Sequence, residues 1–185
     1  MYAIVVNTFG GPDVLQLCEA ALPEPGPGQV RVAIYAAGTN PVDTGNRRRA
    51  RFGIHLPIIL GSDASGVVDA LGPGVTAFAP GDEVFYMSDF QGTQHGTYAE
   101  YQVVDVTVLA RKPPTLSHIE AAALPLATGT AYETVICRLA LEEGEWVLMY
   151  GAAGGVGCFA LQMAVAQGAR VIAVWKVIMD RAKSF

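Results

Sequence analysis

The chain has 185 residues, 51% of them hydrophobic and 16% charged, with a formal net charge of −5. That length holds one ordinary domain, or one domain and a piece of another, and the composition is too apolar for a disordered chain. The acidic balance gives no reason to expect a nucleic-acid partner, and no apolar run reaches the roughly 18 to 20 residues of a spanning helix.

The start, Met1-Tyr2-Ala3-Ile4, alternates like a strand and lacks the basic region of a signal peptide. Strand-like runs follow in order at 2–7, 14–20, 29–38, 65–71, 83–88, 99–104 and 107–110, separated by Gly- and Pro-rich turns. Short strands at this spacing predict an all-β barrel or sandwich. The texture changes near Leu116. Ser117-His118-Ile119-Glu120 fits a capping box, with Glu at the third position after the N-cap. An Ala-rich helical stretch is expected over 121–141, interrupted by Pro125 and Gly129. A strand at 146–150, a helix at 155–167 and a strand at 169–175 then form one βαβ unit. Its near-continuous apolar strands are those of a parallel sheet buried on both faces. Cys18, Cys137 and Cys158 are scattered and unpaired by spacing, which points to a reducing cytoplasm.

Between the first strand and the helix of that unit lies Gly151-Ala152-Ala153-Gly154-Gly155-Val156-Gly157. Backbone amides at a helix N-terminus hold a pyrophosphate, and the helix dipole favours its charge. The six-residue dinucleotide fingerprint is present with Ala152 in the first Gly position. The other reading is a tight strand-to-helix turn without a ligand. At the end of the second strand an NAD-type site carries an acid for the ribose 2′-hydroxyl. Here stand Trp175 and Lys176, with Arg181 further on. The missing acid tolerates a 2′-phosphate and favours NADPH, although Lys176 and Arg181 also suit a solvated surface.

Further motifs run through both halves: Ala36-Ala37-Gly38-Thr39-Asn40-Pro41-Val42-Asp43-Thr44, Leu60-Gly61-Ser62-Asp63-Ala64-Ser65-Gly66, Phe78-Ala79-Pro80-Gly81-Asp82-Glu83 and Gly96-Thr97-Tyr98-Ala99-Glu100. Ala121-Ala122-Ala123-Leu124-Pro125, Gly129-Thr130-Ala131-Tyr132 and the Gly-rich turn complete the set. In this order they resemble the medium-chain dehydrogenase/reductase superfamily, in particular its zeta-crystallin-like quinone oxidoreductases. The resemblance implies a GroES-like β-barrel domain over 1–125, followed by an incomplete α/β Rossmann domain over 126–185. It implies an oxidoreductase that passes a hydride from NADPH to a quinone or conjugated carbonyl, and homodimers among full-length relatives. Two alternatives are an enoyl-thioester reductase of the same superfamily and a non-catalytic binding module.

Zinc-dependent relatives place a Cys where this chain has Asn40 and a His where it has Ser62, so the resemblance implies a zinc-free site. His55, His95 and His118 fall in unrelated segments. The same resemblance makes Asn40 the catalytic residue, with cofactor contacts from Asn40, Thr130, Ala152, Ala153, Gly154, Gly155, Val156, Gly157 and Lys176. Asn40-Pro41 alone reads as a turn, and Thr130 alone reads as a helix residue bonded to its own backbone. Relatives carry a Tyr where Gly45 stands, which removes that hydroxyl as a proton donor. Arg47, Arg48, Arg49 and Arg51 suit a solvated loop more than the mouth of a cleft. Complete relatives continue past Phe185. Residues 1–185 alone are therefore expected to bind NADPH weakly and to turn over no quinone.

Overall fold

The computed structural model describes residues 1–50, 54–88 and 95–175. The chain divides into two compact units, Met1–Leu126 and Ala127–Phe185.

The first unit is built on a five-stranded antiparallel sheet. Its strands are β3 (Gln29–Ala37), β5 (Asp63–Leu71), β6 (Glu83–Met87), β7 (Tyr101–Asp105) and β8 (Leu109–Arg111), in the spatial order β7-β3-β5-β6-β8. Period-two alternation decides which side chains enter the core. Val30, Val32, Ala64, Val68, Val84, Tyr86 and Val104 form it. Between its buried neighbours Val30 and Val32, Arg31 reaches Asp69 at 2.6 Å and Glu24 at 3.2 Å.

A smaller sheet holds β1 (Tyr2–Val6), β2 (Leu15–Glu19) and β4 (Ile58–Ile59), in the order β2-β1-β4. Val6, Ile54, Ile58 and Leu60 pack beneath it with Tyr98. The chain around Ala99 ties the two sheets together. Ile4 donates to the Tyr98 carbonyl at 2.8 Å, Glu100 donates to Tyr2 at 3.0 Å, and Ile34 donates to Glu100 at 2.8 Å.

The strands expected from alternation are present, but the expected closed barrel is not: among the described residues β7 and β8 end the large sheet at opposite edges. Alternation within a strand fixes which face is buried. Closure depends on pairing between distant edges, which that pattern does not encode.

Residues 41–48 form a helix, so Arg47 and Arg48 lie in its last turn rather than in the expected arginine loop. Asn40 is the N-cap of α1 (Pro41–Arg48), with extended φ −129° and ψ 154°. Pro41 opens the helix, where a missing N–H costs nothing. Asp43 sits in the first turn and Arg47 and Arg48 in the last, each sign matched to the helix dipole. Arg47 is buried, and its Nε donates to the Gly10 carbonyl at 3.3 Å. Arg48 and Arg49 are exposed, and Arg51 lies outside the described residues.

The capping box at Ser117 forms as expected. Ser117 Oγ accepts from Glu120 N at 3.3 Å, and Glu120 Oε2 accepts from Ser117 N at 2.8 Å. It opens α2 (His118–Ala122), which packs on β3, β5 and β6. The Ala-rich stretch expected next is interrupted at Pro125, as expected, but runs through Gly129. Pro125 starts α3 (Pro125–Tyr132), and a π-helical turn, Glu133–Arg138, continues it. Proline cannot continue α2 but suits the first turn of a new helix.

In the second unit β9 (Trp146–Tyr150) and β10 (Arg170–Val174) pair in parallel, connected by α4 (Gly155–Ala166). One sheet face is covered: Val147, Met149 and Val171 pack on Ala131, Val135, Ala160 and Ala164. The other is open, with Trp146 65%, Leu148 53%, Tyr150 76% and Ile172 51% exposed. A parallel sheet of this kind is buried on both faces when complete; with two strands, Leu148 and Ile172 were expected to lack cover and do, whereas Val147 and Val171 were expected to lack it and are packed. The described residues supply one helical layer and two strands, a single βαβ unit rather than a doubly wound sheet. No helix among them is long and apolar enough to cross a membrane.

Candidate functional site

In the first unit, Asn40 stands between two carboxylates. Capping α1 fixes its backbone, and Asp43 Oδ2 accepts its N–H at 2.7 Å. Its side-chain Nδ2 donates to Asp63 Oδ2 at 2.9 Å. Asp63 opens β5, and its second oxygen accepts the Leu126 N–H at 2.9 Å. Tyr98, just before β7, donates its hydroxyl to Asp43 Oδ2 at 3.0 Å.

Close backbone approach holds this corner together. Gly38 donates to the Asp63 carbonyl at 2.9 Å. A Cβ at Gly38 would overlap the Ala122 carbonyl oxygen, so only glycine lets the end of α2 lie against β3 here.

Asp43 and Asp63 are both buried, at 5% and 1% exposure, and no described cation pairs with either. Burial raises the Asp63 carboxyl to about 6, against the opposing bonds from Asn40 and Leu126, and the nearby Asp43 adds to the rise. Burial also raises Asp43, opposed by bonds from the Asn40 and Gly61 amides and the Tyr98 hydroxyl. Burial, reinforced by the Asp43 charge, pushes the Tyr98 phenol well above its ordinary value, so it remains a neutral donor.

Ser62 lies buried beside Asp63. Among the described residues no three His, Cys, Asp or Glu side chains gather into a metal-holding group. Asn40 offers an amide and Ser62 a hydroxyl, a donor set unlike the thiolate, imidazole and carboxylate ligands of zinc.

In the second unit the Gly-rich turn links β9 to α4. Gly151 adopts φ +73° and, with Ala152, donates to the Val174 carbonyl at 2.8 and 3.3 Å. Gly154 caps α4. The first intrahelical bond runs from Cys158 N–H to the Gly154 carbonyl at 3.0 Å. The amides of Gly155, Val156 and Gly157 therefore stand ahead of the helical ladder, as first-turn amides do.

A Cβ at Gly157 would overlap the Gly151 carbonyl oxygen, whereas one at Gly155 would meet nothing within 4 Å. Gly157 therefore serves helix-to-turn packing, and Gly155 leaves open space at the amides. The turn borders an open groove of about 410 Å³, shared with Val147, Tyr150 and Val156. Free amides, a helix dipole and open space fit the pyrophosphate of a dinucleotide.

The structure thus brings Ala152, Ala153, Gly154, Gly155, Val156 and Gly157 to one helix N-terminus. Thr130 lies within α3, where its carbonyl accepts from Thr134 Oγ1 at 2.8 Å. Lys176 and Arg181 lie outside the described residues, and Trp175 is exposed at the end of β10. Asp43, Asp63 and Tyr98 lie in motifs that carry the resemblance, but no role for them follows from sequence alone. Their signal was the recurrence of acids next to the Asn40 and Ser62 positions. Nothing in spacing shows that residues 40, 43, 63 and 98 converge.

The family of alcohol dehydrogenase GroES-like domains matches residues 26–114. Human quinone oxidoreductase is 38% identical over 93% of this chain and 52% of its own length. An alcohol dehydrogenase superfamily protein from Novosphingobium aromaticivorans superposes with a TM-score of 0.90 at 43% identity, over 96% of this chain and 54% of that one. A mycobacterial protein solved in complex with NADPH superposes with a TM-score of 0.86 at 34% identity, over 96% and 54%. The chain spans about half the length of the curated relatives it matches.

Proposed function

The chain belongs to the medium-chain dehydrogenase/reductase superfamily, alongside its quinone oxidoreductases, and from that premise we propose that it serves a zinc-independent hydride transfer from NADPH to a quinone or conjugated carbonyl. The observation that carries the reading is the opening of α4. Three first-turn amides stand free of the helical ladder beside a glycine whose Cβ would meet only open space.

When bound, the nicotinamide supplies the hydride. Gly155, Val156 and Gly157 offer their amides to the pyrophosphate. The strand end at Trp175 carries no acid that would repel a 2′-phosphate. By the resemblance, Asn40 stands where zinc-dependent relatives hold a metal ligand. Hydride addition to a quinone or enone builds negative charge on a carbonyl oxygen, and a fixed amide donor stabilises that charge without a metal. Ser62 and Asn40 provide no thiolate or imidazole to replace that donor with zinc.

The test is oxidation of NADPH by the native protein on addition of a simple benzoquinone. The expected result is quinone-dependent loss of NADPH absorbance, slower with NADH and unchanged by a chelator. NADPH left unoxidised, or activity abolished by chelation, removes the proposal.

A further inference from the structure

An asparagine amide has two ends of opposite character: Oδ1 accepts and Nδ2 donates two hydrogens. Which end is held decides which end is free. Asp63 is 1% exposed and meets Asn40 only through Nδ2, at 2.9 Å. Its other oxygen is occupied by the Leu126 N–H at 2.9 Å, which anchors the carboxylate from a second direction. An ionised carboxylate has nothing to donate, so it cannot hold the Oδ1 end. One Nδ2 hydrogen is thereby committed, and the second has no acceptor among the described residues. Asp43 clamps the same residue from its backbone side, at 2.7 Å, so the Asn40 main chain cannot swing to relieve the arrangement.

We propose that Asp63 is a positioning residue: by holding Asn40 through Nδ2, it fixes that amide as a hydrogen-bond donor for the carbonyl oxygen that gains charge. The inference rests on the role given to Asn40 in the proposed function and deepens it by adding a control on that role.

Neutralising Asp63 lifts the constraint. A carboxylic acid donates as well as accepts, so it can hold Oδ1, and the amide can turn over to present an acceptor to the carbonyl. The groups facing this acid are Asp43 on α1 and Tyr98 before β7. With the Asp63 carboxyl at about 6, the exchange falls inside the ordinary working range of an enzyme. Tyr98 stays neutral throughout, and Arg47, also on α1, is turned to the Gly10 carbonyl instead.

The first test needs no activity. In ¹⁵N-labelled protein, the Asn40 side-chain NH₂ pair is assigned by its loss in Asn40→Asp and followed by NMR from pH 5 to 8. The pair should titrate with a midpoint near 6 in the wild type and not at all in Asp63→Asn. A pair unmoved across that range, or one titrating equally in Asp63→Asn, overturns the proposal. If Asp63→Asn does not fold, Asp43→Asn decides. A titration that survives there belongs to Asp63, and one that vanishes belongs to Asp43 and overturns the assignment.

The second test is the pH profile of the native protein. Below pH 6, kcat should fall on the order of tenfold, less than the ~100-fold of deleting such a donor outright. The KM for NADPH should hold, and Asp63→Asn should flatten the profile. A native protein that oxidises no NADPH sinks the functional reading, while the NMR result still decides the Asp63–Asn40 coupling.

Discussion

Replacing Gly157 by alanine should damage the second unit and its nucleotide site together. The added Cβ would overlap the Gly151 carbonyl oxygen and lie 2.8 Å from Ala152 Cα and 2.9 Å from the Gly151 carbonyl carbon. All three neighbours are backbone, in a turn held by two bonds to the Val174 carbonyl. Restoring ordinary contact means moving α4 away from the turn by more than half an ångström. Overpacking of this kind costs about 1–3 kcal/mol. The same shift turns the first-turn amides away from the pyrophosphate. Losing one hydrogen bond to a charged group costs about 1.5–3 kcal/mol, or roughly ten- to a hundredfold in affinity.

Gly155→Ala is the control for stability. Its Cβ enters open space, and alanine favours the helix by about 1 kcal/mol over glycine. Hydrogen exchange over 155–166 and a fluorescence titration with NADPH measure the two effects. Exchange should quicken in Gly157→Ala and slow or hold in Gly155→Ala. Equal exchange and equal NADPH affinity for wild type and Gly157→Ala would refute the packing argument.

Asp63 predicts a stability signature of its own. Its folded carboxyl lies above the ordinary 3.8, so its contribution is fully present below that value and is lost as pH rises through about 6. The difference corresponds to at most about 3 kcal/mol, reduced by local relaxation. Urea unfolding should therefore show wild type gaining on Asp63→Asn between pH 7 and pH 4, and parallel curves would contradict this. Ser117→Ala removes the acceptor for Glu120 N and should lower stability by about 1 kcal/mol in the same assay. The absence of an acid at Trp175 predicts at least a tenfold higher kcat/KM for NADPH than for NADH in the native protein, and equal values would remove the argument.

The sequence revealed what repeats locally. Alternation found β3, β5 and β6 because Val30, Val32, Val68 and Val84 must all reach one core. The capping box at Ser117 and the bounds of β9 followed from equally local signals. Three features were hidden because they depend on distant partners. Arg47, Arg48, Arg49 and Arg51 read as a solvated loop, yet Arg47 lies on α1 and is buried on the Gly10 carbonyl, a contact made across the fold. Strand spacing left barrel or sandwich open, the resemblance implied the barrel, and edge pairing is written in neither. The Asn40 site was half legible: the residue itself came from the resemblance, whereas Asp43, Asp63 and Tyr98 converge from α1, β5 and the approach to β7.

Hydride transfer without a metal is tested most directly with an isotope. The native protein, treated with a chelator, is given a conjugated enone and NADPH carrying deuterium at the reactive nicotinamide carbon. The expected product is a saturated carbonyl compound that holds one deuterium on its β-carbon, formed at the same rate as before chelation. Unlabelled product, or product formed only after zinc is restored, would contradict it.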